Sequence, residues 1–280
     1  MNKELTIVFN SYYSEKQLFR IIKKIKLFKI LIIENSLKQN LKTKLEKKFK
    51  NVEVIIPKKN LGVAKACNLA LKKTNTKYLF LNNPDIDISI SSINKLLNFA
   101  KKNKKFGIIS PTYNNEKIFK NYSSYEKKIS SNISCVNWID FNYLIKKSVL
   151  KKYAFDEKYF LYFENFDFCL KLLRNNEKLY VVKNIKFDHF GSKSVDPKLR
   201  SIVLKMRAWH YNWSKFYYYK KNFSYFYALT KILPNFIQAL KKLIFTLLKF
   251  DFFRSKLCIL ELYGIICSVF LLKSYYRALK

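Results

Sequence analysis

Along the first two thirds of this chain, apolar residues recur in two alternating rhythms. Short runs such as Leu5-Thr6-Ile7-Val8-Phe9, Lys29 to Ile33, Val52 to Ile56 and Tyr78-Leu79-Phe80-Leu81 have the length and the β-branched or aromatic content of buried strands. Between them lie stretches with a helical pattern, carrying Leu18, Phe19, Ile21 and Ile22 in one case and running from about Gly62 to Lys73 in another. Strands alternating with helices imply a parallel sheet, and right-handed crossovers put the strand ends on one side. Ser11-Tyr12, Glu34-Asn35 and Asn83-Pro84-Asp85 are therefore expected at one carboxyl edge, where open α/β sheets bind ligands.

The stretch Lys77 to Asp87 organises the rest. Its apolar first half stops at Asn82-Asn83-Pro84, and Pro84 ends the ladder, so Asn83, Asp85 and Asp87 follow at the strand tip. Acidic oxygens at such an edge suit a divalent cation that itself holds phosphate oxygens. An Asx-Pro turn that merely reverses the chain accounts for the same residues.

Further on, the pattern predicts a helix around Ser91 to Lys102, a strand from Phe106 to Ile109 ended by Pro111, and a polar stretch from Tyr113 to Ser134. That stretch is long for a loop and reads as a partly ordered hairpin or a mobile segment over the site. Val136 to Asp140 and Tyr143 to Ile145 resume sheet-like character. Glu164 to Arg174 reads as a helix with Glu164 and Asp167 in its first turn, where capping alone would also place acids. A strand follows at Leu179 to Val182. His189, one of two histidines, comes just after a short apolar alternation; its imidazole would complete a carboxylate metal site, although a lone histidine more often serves structure.

Composition narrows the chemistry. With only four glycines there is no GxGxxG, P-loop or glycine-rich turn after the first strand, which disfavours dinucleotide dehydrogenases, ordinary NTPases and the usual sugar nucleotidyltransferases. Fifty-five Lys and Arg against nineteen acids give a formal charge of +36 and favour polyanionic partners; the abundance of Lys, Asn, Ile, Phe and Tyr makes compositional bias an equal explanation. Five scattered cysteines without CxxC spacing predict reduced thiols in a cytosolic setting. The N-terminus enters a strand directly, and no signal peptide is expected.

Beyond Pro197 the character changes. Residues 197–280 carry sixteen Lys and Arg against two acids. After Pro234, polar Asn235, Gln238, Lys242, Thr246 and Lys249 alternate with a broad apolar face of Phe236, Ile237, Leu240, Leu243, Ile244, Leu247 and Leu248, the pattern of an amphipathic helix with a basic rim. Such a helix either lies in an anionic membrane interface or packs on the preceding domain. The run Leu257 to Leu272 is interrupted by Glu261 and falls short of the roughly 20 residues that span a bilayer, so a monotopic helix is expected.

Taken in order, Val8 to Tyr12, Glu34-Asn35-Ser36, Asn60-Leu61-Gly62-Val63-Ala64 with Asn68, Asn83-Pro84-Asp85, Phe155-Asp156-Glu157 running into Phe163-Glu164-Asn165-Phe166-Asp167, and His189-Phe190-Gly191-Ser192-Lys193-Ser194 resemble family 2 glycosyltransferases of the GT-A fold, especially the rhamnosyltransferase-like branch of bacterial surface polysaccharide synthesis. The resemblance covers about residues 4–195. It implies an α/β domain over 1–196, a Rossmann-like, mixed but mostly parallel sheet with flanking helices; the pattern beyond Pro197 adds to it a basic, membrane-associating helical region over 197–280. By the same resemblance, a nucleotide-diphosphate sugar is the donor and a glycan or lipid-linked saccharide the acceptor, with Mg²⁺ or Mn²⁺ as cofactor. Ser11, Tyr12 and Glu34 would line the nucleotide pocket, with Asn60, Gly62, Asn68 and Asn83 also binding the donor. Asp85 and His189 would ligate the metal.

The family's inverting reaction needs a base, usually the second acid of a Glu-Asp pair, a position held here by Asn165. Glu164 and Asp167 flank it and are the catalytic candidates. Glu34 replaces the family's usual Asp, and Phe141 stands where relatives often have a small residue. A cytoplasmic enzyme, peripheral on the inner face of the cell membrane, is the leading expectation. A catalytically silent, membrane-docked adaptor is the alternative. A nucleic-acid binder is disfavoured because no recognition motif accompanies the charge.

Overall fold

The computed structural model describes residues 2–103, 105–190 and 195–278. They form two compact units: one of Met1–Leu61, Lys65–Phe155 and Phe168–Asp196, the other of Gly62–Ala64, Asp156–Asp167 and Pro197–Lys280. The second unit thus takes in two short segments that the sequence assigns to the first domain.

The first unit is built on a mixed sheet. Strands β1 (Asn2–Ser11), β2 (Phe28–Glu34), β3 (Val52–Ile55) and β4 (Tyr78–Asn82) run parallel in the order β3-β2-β1-β4. Helices α1 (Glu15–Lys24), α2 (Gln39–Lys48) and α3 (Gly62–Lys73) connect them. Every second residue of β1 (Leu5, Ile7, Phe9) and β2 (Phe28, Ile30, Ile32), with Tyr78 and Phe80, joins the core packed against Leu18, Ile21 and Ile22 of α1. The alternate residues Val8, Leu31, Ile33, Leu79 and Leu81 are buried as well, as a sheet covered on both faces requires. Helix α2 has no counterpart in the sequence reading, because only Leu41 and Leu45 of its ten residues are buried and the rest is mostly lysine-rich surface.

After β4 come β5 (Ile86–Asp87), α4 (Ile90–Lys102), β6 (Ile108–Tyr113), β7 (Glu126–Ser130), β8 (Ile133–Val136), β9 (Tyr143–Lys146), α5 (Lys147–Tyr153), α6 (Glu164–Arg174) and β10 (Leu179–His189). The sheet continues β4-β9-β6-β10-β8-β7, with β9 antiparallel to both β4 and β6. Pro111 does not end its strand as the pattern predicts. It lies within β6, whose pairing to β9 covers only Ile108 and Ile109, so its missing N–H falls where that ladder no longer needs a donor. Part of the long polar stretch forms the β7–β8 hairpin.

In the second unit, α7 (Arg200–Asn222), α8 (Tyr225–Leu248) and α9 (Phe252–Val269) pack together. Trp209 and Trp213 meet Leu260 and Cys267, while Phe216 meets Ala228, Ile232 and Ile265. A Cβ at Gly264 would lie 2.3 Å from the Trp209 carbonyl oxygen, so only glycine permits this approach of α9 to α7. Ser224 and Asp251 cap α8 and α9 by accepting from Tyr227 N–H and Arg254 N–H.

Two expectations for this region need correction. Helix α8 begins nine residues before Pro234, which sits inside it. Thr246, assigned by its polarity to the solvent side, faces inward: it donates to the Leu243 carbonyl and accepts from Ser255 Oγ at 2.9 Å. Small Ala228, Ala239, Thr246, Ser255 and Gly264 lie inward beside the larger Ile232, Leu260 and Ile265, while other large apolar residues of α8 and α9 face outward. Among the described residues no helix is long and apolar enough to cross a membrane.

Candidate active site

Adjacent parallel strands deliver the expected tips together, Ser11 in register with Glu34 and Phe9 with Asn82. Ser11 Oγ donates to Glu34 Oε2 at 2.5 Å, and Glu34 Oε1 accepts from the Ser36 N–H at 2.9 Å and the Tyr13 N–H at 3.4 Å. Ser11 and Glu34 are fully buried. Their side chains set the shape of the loop, while half-buried Tyr12 presents its ring beside them. Burial, the neighbouring Tyr13 and the Glu34 charge push the Tyr12 phenol up to about 12. Asn35 ties three segments, donating to Asn10 Oδ1 and accepting from the Leu61 N–H at 2.9 Å.

Asn60 is half-buried, next to Leu61. Gly62 opens α3 with φ +72°, and a Cβ there would lie 2.3 Å from the Phe160 carbonyl oxygen, which also accepts from the Val63 N–H at 2.8 Å. Asn68 uses both ends of its amide on the backbone of Phe155, at 3.0 Å each way. It thereby holds the start of the Phe155-Asp156-Glu157 stretch.

At the tip of β4, the Ile86 N–H donates to the Asn83 carbonyl at 3.1 Å and Asn82 Nδ2 to the Ile86 carbonyl at 3.2 Å, making a tight turn around Pro84. Strand β5 then pairs antiparallel with the end of β10, Ile86 opposite His189 and Asp87 opposite Asp188. The Phe190 N–H closes the ladder on the Asp85 carbonyl at 3.0 Å. This short ladder brings His189 Nε2 to 3.6 Å from Asp85 Oδ2. The imidazole stacks on Tyr113 (5.0 Å between centroids) and meets the edge of Phe119 (4.6 Å). Its Nδ1 is buried without a hydrogen-bond partner, leaving Nε2 as the nitrogen turned toward the carboxylate. Gly191 to Ser194, the remainder of that motif, lie outside the described residues.

An oxygen and an imidazole nitrogen at this spacing fit the donor set of Mg²⁺ or Mn²⁺, which commonly complete their shells with substrate phosphates and water. No group of three or more potential ligands occurs among the described residues, which offer Asp85 and His189 as a pair. Asp140 escaped the sequence reading. It is exposed, accepts the Phe141 N–H on Oδ1 at 2.8 Å, and with Asp85 adds to the burial that raises the Tyr113 phenol well above its ordinary value. An acid ending an apolar run, as at Asp85, was the available signal. Phe141 is buried, stacked between Tyr143 and Phe155.

In the second unit, the first turn of α6 separates the two acidic candidates. Asp167 is almost wholly buried, with Oδ2 2.7 Å from Lys221 Nζ and Oδ1 accepting from Asn222 Nδ2 at 2.9 Å. The same Lys221 ammonium reaches Asp156 Oδ2 at 2.8 Å, which also accepts from the Tyr217 hydroxyl. Burial pulls the Asp156 carboxyl upward, but the bonds and charge of Lys221 with those of Lys158 N–H and Tyr217 outweigh it, leaving it below its ordinary value. Asp167 is thus committed to an ion pair. Glu164 is buried one turn before it, directly after Tyr162 (φ 68°) and Phe163 (φ 62°). Two successive bulky residues in the left-handed region cost of order 1–3 kcal/mol each, a strain typically retained at functional sites.

The sequence profile of glycosyl transferase family 2 matches residues 6–168, more than half of the chain. Among curated proteins none matches. The fold is similar to that of S. aureus TarS 1–349 (15% identity, 98% of this chain and 93% of that one, TM-score 0.54) and of the mannosyltransferase PcManGT from Pyrobaculum calidifontis in complex with GDP-Man and Mn²⁺ (9%, 96% and 88%, 0.58). It is also similar to GalNAc-T7 with UDP, GalNAc and Mn²⁺ (16%, 77% of this chain and 49% of that one, 0.55). The chain belongs to glycosyl transferase family 2, and its sheet with flanking helices is a GT-A fold.

Proposed function

We propose that this glycosyltransferase moves a sugar from a nucleotide-diphosphate donor to a hydroxyl of a glycan or lipid-linked saccharide, with inversion, in the synthesis of a cell-surface polysaccharide. The observation that carries the reading is the β5–β10 ladder, which sets Asp85 and His189 3.6 Å apart at the end of a strand parallel and adjacent to the one ending at Ser11. The matched family, and the similarity to folds seen with GDP-Man, with UDP-GlcNAc and with Mn²⁺, support it.

In this mechanism Tyr12 flanks the base and ribose, on a loop held by Ser11 and Glu34, and Asn83 and the Asn60-Gly62 turn bind the rest of the donor. Asp85 and His189 would hold Mg²⁺ or Mn²⁺, whose positive charge would offset the negative charge of the diphosphate. Glu164 accepts the proton of the attacking hydroxyl, and Asp167 and Lys221 fix the helix that carries it. A single in-line displacement inverts the anomeric carbon. The donor is a hexose or a deoxyhexose such as rhamnose.

The test is a panel of nucleotide-diphosphate sugars, each with and without Mn²⁺, read by thermal shift and by donor hydrolysis. One donor should protect against heating and turn over only with the cation. Metal-dependent protection without turnover on any acceptor would favour the silent adaptor, in which Asn165 marks a lost base. No protection by any donor would remove the reading.

A further inference from the structure

The helical unit leaves bare an apolar surface that its own packing does not use. On α8, Leu233, Ile237, Leu240, Ile244 and Leu247 recur at intervals of four and three residues and are all exposed. On α9 exposed Phe252 is followed two turns later by Ile259, Tyr263 and Ile266, with Phe270 at the C-cap, the last four at intervals of four and three. The inward positions Ala228, Ile232, Ala239 and Thr246 of α8 are distinct from these, so each stripe is a second face. The two helices meet at the turn Lys249 to Asp251, where Leu248 (73% exposed), Phe250 (77%) and Phe252 (73%) stand nearly clear of the protein with Phe245 beside them. Soluble surfaces rarely gather apolar residues this way without something to cover them.

Charge identifies the occupant. Lys231, Lys241, Lys242, Lys249, Arg254 and Lys256 are exposed along and between these stripes, and the two helices with their connecting turn carry only two acids, Asp251 and Glu261. Asp251 is engaged as the α9 cap. Lys249 Nζ lies over the Phe245 ring at 4.3 Å, so cation and aromatic share one patch. A second copy of this chain would set lysine against lysine on an apolar interface, whose core is ordinarily depleted of charge. A bilayer of anionic lipid satisfies both parts: aromatic and aliphatic side chains enter the acyl boundary while the ammonium groups stay at the phosphates.

We infer that the α8–α9 corner, with the exposed stripes running from it, docks the protein peripherally on an anionic membrane. This deepens the transferase reading, on which it rests for its consequence: the acceptor of a surface-bound enzyme is a saccharide carried by a lipid in that same bilayer.

Flotation of the full-length protein with phosphatidylglycerol/phosphatidylcholine vesicles tests it, with phosphatidylcholine alone as control. The parent should float with the anionic vesicles and detach in part at high salt. Leu248→Ser/Phe250→Asn/Phe252→Ser, where Asn suits the φ of 53° at Phe250, should retain its helical circular dichroism and lose about tenfold or more in vesicle affinity. Lys241→Gln/Lys249→Gln/Lys256→Gln should lose preference for anionic lipid and with it the salt response. The inference is overturned if the parent stays unbound, or if the folded corner variant floats like the parent. It is also overturned if sedimentation shows the corner variant dissociating an oligomer while vesicles capture nothing, which would make the surface an interface between copies. Donor hydrolysis without vesicles reports on the transferase reading separately, so either reading can fail while the other stands.

Discussion

The sheet unit and the helical unit use apolar residues in opposite ways. In the sheet unit, strands β1, β2 and β4 bury both faces, so that even adjacent residues such as Leu79, Phe80 and Leu81 are out of water. In the helical unit, α8 buries Ala228, Ile232, Ala239 and Thr246 and presents Ile237, Ile244 and Leu248 to solvent. Burial in the first case tracks hydrophobicity. In the second it tracks position: the sides of α8 and α9 that face the other helices bury small Ala228, Ala239, Thr246 and Gly264 beside large Ile232, Leu260 and Ile265, while equally apolar residues elsewhere on them stay exposed. A helix's apolar content therefore does not say which of its sides faces the core.

On the proposed reading the base candidate belongs to the helical unit and the metal pair to the sheet unit, and the largest expected effect tests the base. Glu164→Gln should lower turnover by about 10²–10⁴ with little change in donor affinity by calorimetry, since a positioned base contributes in that range. Asn165→Asp should be tolerated and raise the rate if a second acid assists. A fully active Glu164→Gln would move the proton to another group and leave the helical unit without a catalytic carboxylate.

In the sheet unit, Asp85→Asn should reduce Mn²⁺-dependent turnover by about 10²–10³, with metal-dependent donor binding weakened and the melting temperature held. His189→Ala should lower metal affinity and activity together. Loss of melting temperature with full Mn²⁺ affinity would instead make the imidazole a packing element between Tyr113 and Phe119.

Smaller effects concern stability of the helical unit. Gly264→Ala forces a Cβ against the Trp209 backbone and should cost about 1–3 kcal/mol in urea unfolding; an unchanged midpoint would show that the crossing is not tight. Lys221→Met strands Asp156 and Asp167 and should cost about 1–3 kcal/mol, with the loss shrinking as the carboxylates protonate. The pH dependence follows from the same cluster. The Asp156 carboxyl lies below its ordinary 3.8 in the fold, so its stabilisation is present above 3.8 and lost as pH falls through the folded value. Lys221 is held above its ordinary 10.5, so its share is present below 10.5 and lost as pH rises through the folded value. A urea midpoint that does not fall in acid, or that falls equally in Lys221→Met, would contradict this.

What the sequence by itself determined is local. Runs and periodicities located the strands at Leu5, Lys29, Val52 and Tyr78 and the helices at Gly62 to Lys73 and Glu164 to Arg174, because each depends on neighbours within a turn or a strand. The ordered motifs pointed to the family for a similar reason: residues at strand tips keep their order along the chain. Helix α2, with two buried residues in ten, and α5, only seven residues long, left too weak a pattern to be seen. Only the tertiary structure decided which polar groups meet. Asp85 comes beside His189 through pairing of β5 with β10, and Lys221 claims Asp167 from a helix more than fifty residues on. Both are contacts between segments far apart in sequence, where spacing carries no signal. The same holds for the exposed face of α8: its amphipathic pattern is written in the sequence, but steric fit against α7 and α9 chose Ala228, Ile232, Ala239 and Thr246 for the inside and left Ile237, Ile244 and Leu248 to the solvent.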